Sequence, residues 1–151
     1  MKTRILVAGL AGGIAEILWV LAYSAVAPVA AAEVAREVTA SIVPVAAAWA
    51  VAPAIGVALH LALSIALAYA FVTALGGMAP GARTVPLAVA ALVAVWAFNF
   101  LVLMPLLDMR FATLMPYAAT LLSKVLFGVA MGSVLARSAP RLARPAPASR
   151  A

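Results

Sequence analysis

The chain has 151 residues, of which 68% are hydrophobic and 9% are charged, and its formal net charge is +6. A soluble globular domain has roughly a quarter of its residues charged, so this much apolar surface cannot be buried in one small water-soluble core. The chain contains no cysteine, which excludes disulfides, thiolate chemistry and cysteine-ligated metal sites. The composition therefore predicts a membrane protein.

Four apolar stretches, each about 20 residues or longer, are long enough to cross a bilayer. We predict an all-α fold class, an integral membrane four-helix bundle that forms one domain over residues 1–137. Pro53 is the expected start of the second span, because proline breaks a helix interior. The start of the chain also fits a signal peptide, because the basic residues Lys2 and Arg4 precede an apolar run. The length of this run and the presence of Glu16 within it favour a membrane helix that is not cleaved. The expected spans are residues 5–27, 53–75, 85–107 and 111–136.

A short polar segment, residues 29–43, separates the first two spans. Val34, Val38 and Ile42 recur in it at helical spacing, which predicts a short amphipathic helix. On the expected periplasmic side, this helix either lies flat on the membrane surface or caps the bundle. A solvated helical loop with no special role is an equally weighted alternative.

Positive charges are distributed unevenly between the two sides of this arrangement. Arg36 and Arg110 fall on the side of the amphipathic segment, and Lys124 falls inside a span. The others all fall on the opposite side: Lys2, Arg4, Arg83, Arg137, Arg141, Arg144 and Arg150. By the positive-inside rule, both termini are expected to be cytoplasmic. The alanine-rich composition is typical of high-GC bacterial genomes, so we expect a multi-pass protein of the bacterial inner membrane.

Residues 138–151 are rich in arginine and proline and are predicted to form a disordered cytoplasmic tail, because such a composition cannot build a packed core. The arginines of this tail are expected to bind anionic lipid headgroups. Nucleic acid is not an expected partner, since the tail has neither aromatic residues among its basic ones nor a folded platform.

Each span carries one strongly polar residue, namely Glu16, His60, Asn99 and Lys124. Ser64 follows His60 by four residues and shares its helical face. A charged group in hydrocarbon costs several kcal/mol unless it is paired, protonated or hydrated. We therefore predict that these five side chains form an intramembrane polar core.

Two glycine pairs indicate how the first and last spans meet. These pairs are Gly9 with Gly13 and Gly128 with Gly132. Small residues four positions apart let helix backbones approach closely in lipid. If the two pairs dock on each other in an antiparallel arrangement, Glu16 and Lys124 reach similar depths in the membrane. Glu16 lies about 10 Å along its helix from Gly9, and Lys124 lies about 12 Å along its helix from Gly132. This depth match predicts an ion pair that relieves the desolvation of both charges.

Two interpretations of this polar core are open. In the first, a buried ion pair and interhelical hydrogen bonds hold the bundle together. In the second, Glu16 or His60 titrates as part of a proton or cation site. One histidine, one mid-span carboxylate and no cysteine argue against a metal or haem site, so no metal and no cofactor are expected. The sequence has no catalytic triad, phosphate-binding loop or carboxylate dyad, and an enzyme is not expected.

Two motifs stand in the first two spans: a glycine-rich segment that leads to a carboxylate, and a His-x-x-x-Ser pair followed by a tyrosine. Their residues are Gly9, Gly12 and Glu16, and then His60, Ser64 and Tyr69. This order resembles the YagU-type family of small bacterial inner-membrane proteins. That family carries a glutamate in its last helix, where this chain has Lys124. The resemblance implies a small inner-membrane protein and no defined molecular activity.

The segment Gly12-Gly13-Ile14-Ala15-Glu16-Ile17 is similar to the first helix of small multidrug resistance exporters, which also have four spans. In those exporters this helix holds a single glutamate that binds protons and drugs. The resemblance implies the same role for Glu16. The long connection between Pro28 and Pro44, the basic tail and Lys124 depart from that compact pattern.

From these observations we expect a non-enzymatic structural or accessory unit that associates with itself as a homo-oligomer or with a larger membrane complex. The alternative is a proton-coupled exporter of small molecules or cations, built as an oligomer around Glu16. The partner of Glu16 distinguishes the two. Contact with a lysine favours the structural role, and an unpaired carboxylate in a wet cavity favours transport.

Overall fold

The computed structural model describes residues 2–75, 81–107 and 109–137, and all regular structure in these ranges is helical. The helices in chain order are α1 Lys2–Ser24, α2 Ala31–Ile42, α3 Ala52–Ala74, α4 Thr84–Leu107, α5 Met109–Leu114 and α6 Tyr117–Ala136. A short 3-10 turn, Pro44–Ala46, precedes α3. The tail predicted to be disordered, residues 138–151, lies outside the described residues.

Helices α1, α3, α4 and α6 are long and apolar enough to cross a membrane, so the prediction of an all-helical chain with four membrane-length helices is confirmed. Helix α3 begins at Ala52 with Pro53 in its first turn, as expected, because proline is tolerated where no intrahelical donor is needed. Helix α1 ends at Ser24, before the expected residue 27. The amides of Ala25 and Ala27 still donate to the carbonyls of Leu21 and Tyr23 in turns beyond this end, and Pro28 then prevents a further helical turn.

The fourth membrane-length helix begins at Tyr117, so the expected start at residue 111 with Pro116 inside the helix is wrong. Pro116 has an extended ψ of 144° and lies just before α6. Its carbonyl accepts the first hydrogen bonds of the helix, from the amides of Ala119 and Thr120. Since proline cannot donate a backbone hydrogen bond and clashes with the preceding turn, the chain is divided into α5 and α6 at this point.

Helix α4 contains a widened π-helical turn at Asn99–Leu103. The amide of Met104 donates to the carbonyl of Asn99, five residues back, instead of to the carbonyl four residues back. Pro105 follows, and its ring clashes with the carbonyl one turn earlier in a regular α-helix. A wider turn relieves this clash, and such turns are frequent at functional sites.

The four long helices pack as an open bundle. Helix α1 packs against both α3 and α6, and α6 packs against α4. Helices α3 and α4 scarcely touch each other within the described ranges, so the bundle is open on the side between them. Its largest apolar core lies at the end that carries the termini, and includes Ile5, Ala68, Leu92, Phe127 and Met131. The other half of the bundle holds the polar residues.

The two glycine pairs lie at helix contacts, but the prediction that they dock on each other is wrong. A Cβ atom at Gly9 would lie 2.6 Å from the backbone of α3, and Gly13 packs on the same helix. A Cβ atom at Gly128 would lie 2.7 Å from the backbone of α4, and Gly132 packs there too. The first pair therefore joins α1 to α3, and the second pair joins α6 to α4.

Helices α1 and α6 meet instead through Gly12. A Cβ atom at Gly12 would lie 2.6 Å from the ring of Phe127, which is 1% exposed. Gly12 and Glu16 are four residues apart and share one face of α1, while Gly9 and Gly13 share the adjacent face. The small residues of α1 thus allow it to pack closely against both α3 and α6.

Helix α2 packs on the first half of α3, which favours the capping arrangement over a solvated loop. Thr39 Oγ1 donates to the carbonyl of Ala52 over 2.6 Å. Arg36 Nη1 donates to the carbonyls of Ala47 and Trp49 over 2.8 and 3.1 Å. Side chains of α2 therefore donate hydrogen bonds to backbone carbonyls where the chain turns into α3, and these bonds hold α2 in place.

Candidate functional site

Glu16 lies in the second half of α1 and is only 9% exposed. The ammonium of Lys124 on α6 donates to Glu16 Oε1, and Ser123 Oγ donates to the same oxygen over 2.9 Å. The structure therefore brings together Glu16 and Lys124, which were predicted to pair because they lie at similar depths. Their contact is made on the face of α1 that carries Gly12, and not on the Gly9–Gly13 face.

His60 approaches this ion pair from α3. Its Nε2 lies 3.2 Å from the carbonyl oxygen of Gly13 and 3.9 Å from Glu16 Oε2. In the tautomer with a proton on Nε2, the ring donates to the Gly13 carbonyl. The longer distance exceeds that of a hydrogen bond. Glu16 Oε2 is thus buried without a hydrogen-bond partner among the described residues, while Oε1 accepts two bonds.

Ser64 and Asn99, also predicted for the polar core, do not hydrogen-bond the ion pair. The Ser64 hydroxyl is buried and donates to the His60 carbonyl one turn earlier over 2.7 Å. Asn99 begins the widened turn of α4, and its side chain has no hydrogen-bond partner within the ranges that the structure describes. The Ser64 hydroxyl is therefore satisfied within its own helix.

Sequence reasoning missed the hydroxyl groups of α6. Ser123 is 3% exposed and Thr120 is 7% exposed. Trp96 Nε1 donates to Thr120 Oγ1 over 3.0 Å and thereby links α4 to α6 near the ion pair. One signal was present in the sequence: Thr120, Ser123 and Lys124 fall within little more than one helical turn. They make this the most polar turn of the last span.

A cavity of about 700 Å³ lies between the long helices, and all five residues of the predicted polar core line it. Most of its remaining wall is apolar and comes from α1, α2, α3, α4 and α6. Its rim includes Val57 and Leu63 on α3 and Val95 on α4, which are 38%, 50% and 38% exposed. Helices α3 and α4, which scarcely touch within the described residues, both contribute to its wall.

A second charged contact involves Glu37, in the middle of α2. Arg110 Nη2 lies 3.6 Å from Glu37 Oε1, and Glu37 is 8% exposed while the arginine side chain is 81% exposed. This contact joins α2 to α5. Because the arginine side chain is mostly exposed, solvent screens the attraction, and we assign the contact no more than a minor structural role.

The chemistry available at the site is that of an ion pair without net charge at the wall of an apolar cavity. The amide of Asn99 and the imidazole of His60 are chemically able to form further hydrogen bonds. In the part of the chain that the structure describes, no three His, Cys, Asp or Glu residues are grouped so as to hold a metal ion. Comparison of the chain with protein-family models, with curated proteins and with solved structures gives no significant match.

Proposed function

We propose that the chain is an integral protein of the bacterial inner membrane that acts as a non-enzymatic structural or accessory unit, in association with itself or with another membrane protein. The observation that carries this proposal is the partner of Glu16. Lys124 and Ser123 hold one carboxylate oxygen, so the charges of the first and last spans balance each other in a low-dielectric interior. A carboxylate neutralised in this way stabilises the bundle without binding a proton.

Placement in a membrane is supported by the surfaces of the long helices. Large apolar side chains face outward on them, among them Leu18, Leu21, Phe98 and Leu101, which are 51–60% exposed. Contiguous apolar surface of this kind fits lipid and is rare on soluble monomers. The distribution of arginine and lysine further supports cytoplasmic termini, with α2 on the periplasmic side. The resemblance to the YagU-type family supports the same cellular location.

The proposed orientation makes a direct prediction for alkaline phosphatase, which is active only outside the cytoplasm. The enzyme is expected to be inactive when fused after Arg137, because the positive-inside rule places that end in the cytoplasm. It is expected to be active when inserted after Ala48, which lies in the exposed turn before α3. Fusion after Leu75 is the matched internal control and is expected to be inactive. Activity at both Arg137 and Ala48, or the reverse pattern, would refute the four-span topology.

A second candidate function is proton-coupled export of small molecules or cations. One observation favours it: Glu16 lines a cavity of about 700 Å³, and its Oε2 atom has no hydrogen-bond partner among the described residues. The similarity of the Gly12–Ile17 segment to small multidrug resistance exporters supports the same reading. Lys124 weighs against it, since an exporter of this kind needs a carboxylate that exchanges a proton for a cation.

A transport measurement separates the two candidates. Vesicles that contain the full chain and a pH-sensitive dye are given an inward pH gradient, and tetraphenylphosphonium is added as a lipophilic cation. For a structural unit we expect proton flux no greater than in protein-free vesicles. Glu16→Met combined with Lys124→Met is the matched control. Cation-dependent proton flux that disappears in this double variant would establish the exporter and refute the accessory role.

A further inference from the structure

From the way in which α2 packs on α3, we infer that the turn between them anchors the bundle in the headgroup region of the bilayer. This apolar turn comprises residues 43–51, and the partner that it contacts is phospholipid, at the level of the headgroups and upper acyl chains. The surface goes beyond the accessory role and rests on the membrane placement proposed above. Trp96 provides a separate control for that placement, so the failure of one proposal is distinguishable from the failure of the other.

The first argument is the composition of the apolar turn. Its nine residues are valine, proline, alanine and tryptophan only, and no Asp, Glu, Lys or Arg stands between Glu37 and Arg83. Val45, Trp49 and Val51 are 75%, 54% and 57% exposed. Connections that lie in water are usually polar, whereas tryptophan is enriched at membrane interfaces. The apolar turn therefore has the composition of a segment in contact with lipid.

The second argument is the depth of the apolar turn. Helix α3 begins at Ala52 and has 23 residues, so it is about 35 Å long and matches a hydrocarbon core of about 30 Å. Its first residue therefore lies at the boundary of the hydrocarbon. The amide of Ala52 donates to the carbonyl of Trp49 over 3.1 Å, so the turn folds against the start of α3. Trp49 thereby falls within the headgroup region, which is roughly 5–8 Å deep on each side.

The third argument is that the protein itself satisfies much of the backbone of the apolar turn. Backbone groups without a partner are costly where water is scarce. Arg36 Nη1 donates to the carbonyls of Ala47 and Trp49. Three amides of the turn also donate to carbonyls three residues back: Ala46 to Val43, Ala47 to Pro44 and Trp49 to Ala46. These bonds lower the cost of placing the turn against lipid, and they fix its shape.

The fourth argument identifies lipid as the partner. The apolar face of α2 is already used within the protein, because Val34 and Thr39 are buried and Ala35 contacts Gly56 on α3. Contact with the membrane therefore passes from α2 to the apolar turn. Beyond the turn, the face of α3 that carries Val51 continues in exposed small residues, namely Ala54, Ala58 and Ala62. The apolar surface is thus continuous from the turn onto the membrane-length helix.

The experiment measures the depth of Trp49 by fluorescence quenching. Trp19 and Trp96 are replaced by phenylalanine in the full chain, which is placed in phosphatidylcholine vesicles. One set of vesicles contains a phosphatidylcholine brominated near the carbonyl end of its acyl chain, and the other contains one brominated near the terminal methyl group. We expect the shallow bromine to quench Trp49 roughly twofold more strongly than the deep bromine, because the indole lies at the headgroup level.

The matched control keeps Trp96 as the sole tryptophan, with Trp19 and Trp49 replaced by phenylalanine. Trp96 lies midway along α4, Thr84–Leu107, so the deep bromine is expected to quench it more strongly than the shallow one. If neither lipid quenches Trp96, the membrane placement itself is wrong. If Trp96 shows the expected order, the result for Trp49 tests the apolar turn alone.

Arg36→Leu tests whether the guanidinium holds the turn in place. Without it, the carbonyls of Ala47 and Trp49 lose their side-chain donor and are expected to draw the turn toward water. We expect quenching of Trp49 by the shallow bromine to fall by roughly half. Arg83→Leu removes an exposed arginine beyond the other end of α3 and is expected to leave the quenching unchanged. The parent chain gives an answer even if Arg36→Leu does not fold.

Three results would overturn the anchor, provided that Trp96 shows the expected order. Absence of quenching of Trp49 by both lipids would mean that the turn lies in water. Stronger quenching by the deep bromine would mean that the turn enters the hydrocarbon core. Quenching that disappears as the ratio of protein to lipid rises would mean that a second copy of the chain covers the turn in place of lipid.

Discussion

Glu16→Ala and Lys124→Ala are each expected to lower the free energy of unfolding by about 2–4 kcal/mol. Each change removes one member of the contact between α1 and α6 and leaves the other charge buried alone. The double variant strands no charge and is therefore expected to cost less than the sum of the two single changes. Exchanging the residues, Glu16→Lys with Lys124→Glu, is expected to recover most of the stability. The measurement is the unfolding midpoint in mixed micelles titrated with sodium dodecyl sulfate.

Glu33→Ala is the matched control, because Glu33 is a carboxylate on an exposed face of α2. Its removal is expected to change stability by less than about 0.5 kcal/mol. If the single changes at Glu16 and Lys124 add without coupling and the exchange gives no rescue, the two groups do not interact. In that case the structural role proposed for the pair is wrong, and the exporter becomes the better account of Glu16.

Gly56→Ala is expected to destabilise the protein by at least about 2 kcal/mol. An added Cβ at this position would overlap the carbonyl oxygen of Ala35 on α2 and lie 2.8 Å from its carbonyl carbon. Both atoms belong to the backbone, so relief requires α2 to move away from α3. We expect amide hydrogen exchange in residues 31–42 to accelerate together with the loss of stability, because the contacts that protect this helix weaken.

The direction of the stability change caused by Gly56→Ala shows whether α2 packs on α3. In a free helix, alanine is more favourable than glycine by about 1 kcal/mol, so Gly56→Ala would stabilise α3 if α2 were not packed against it. Gly81→Ala is the control, since a Cβ at Gly81 meets nothing within 4 Å. It is expected to have little effect. A gain in stability from Gly56→Ala, with unchanged exchange in α2, would contradict the docking of α2 on α3.

From the sequence, the positions of the site residues could be predicted only along the axis of each helix. A rise of about 1.5 Å per residue fixes the depth of a side chain in a straight helix, and this was enough to pair Glu16 with Lys124. It does not fix the partner of each helical face. Helix α1 offers two adjacent small-residue faces, and the sequence pattern does not show which of them meets α6. The predicted docking of the glycine pairs failed for this reason.

Other parts of the site depend on relations between helices that no local pattern contains. The need for glycine at position 56 is evident only from the position of the Ala35 carbonyl beside it. The bond from Ser123 to Glu16 joins residues 107 positions apart. The cavity wall combines side chains from five helices, of which α3 and α4 scarcely touch each other within the described residues. None of these features follows from the periodicity of a single segment.

The sequence by itself determined the number and nature of the long helices, because hydrophobicity and length act within one segment and require no partner. It also determined that α3 starts close to Pro53, since a missing backbone donor is a local property. Only the tertiary structure decided which faces meet, that one oxygen of Glu16 is paired while the other is buried without a hydrogen-bond partner among the described residues, and that a largely apolar cavity lies between the helices. In a chain of small apolar residues, many helix pairings have similar packing energies. The choice among them is made by all the contacts together.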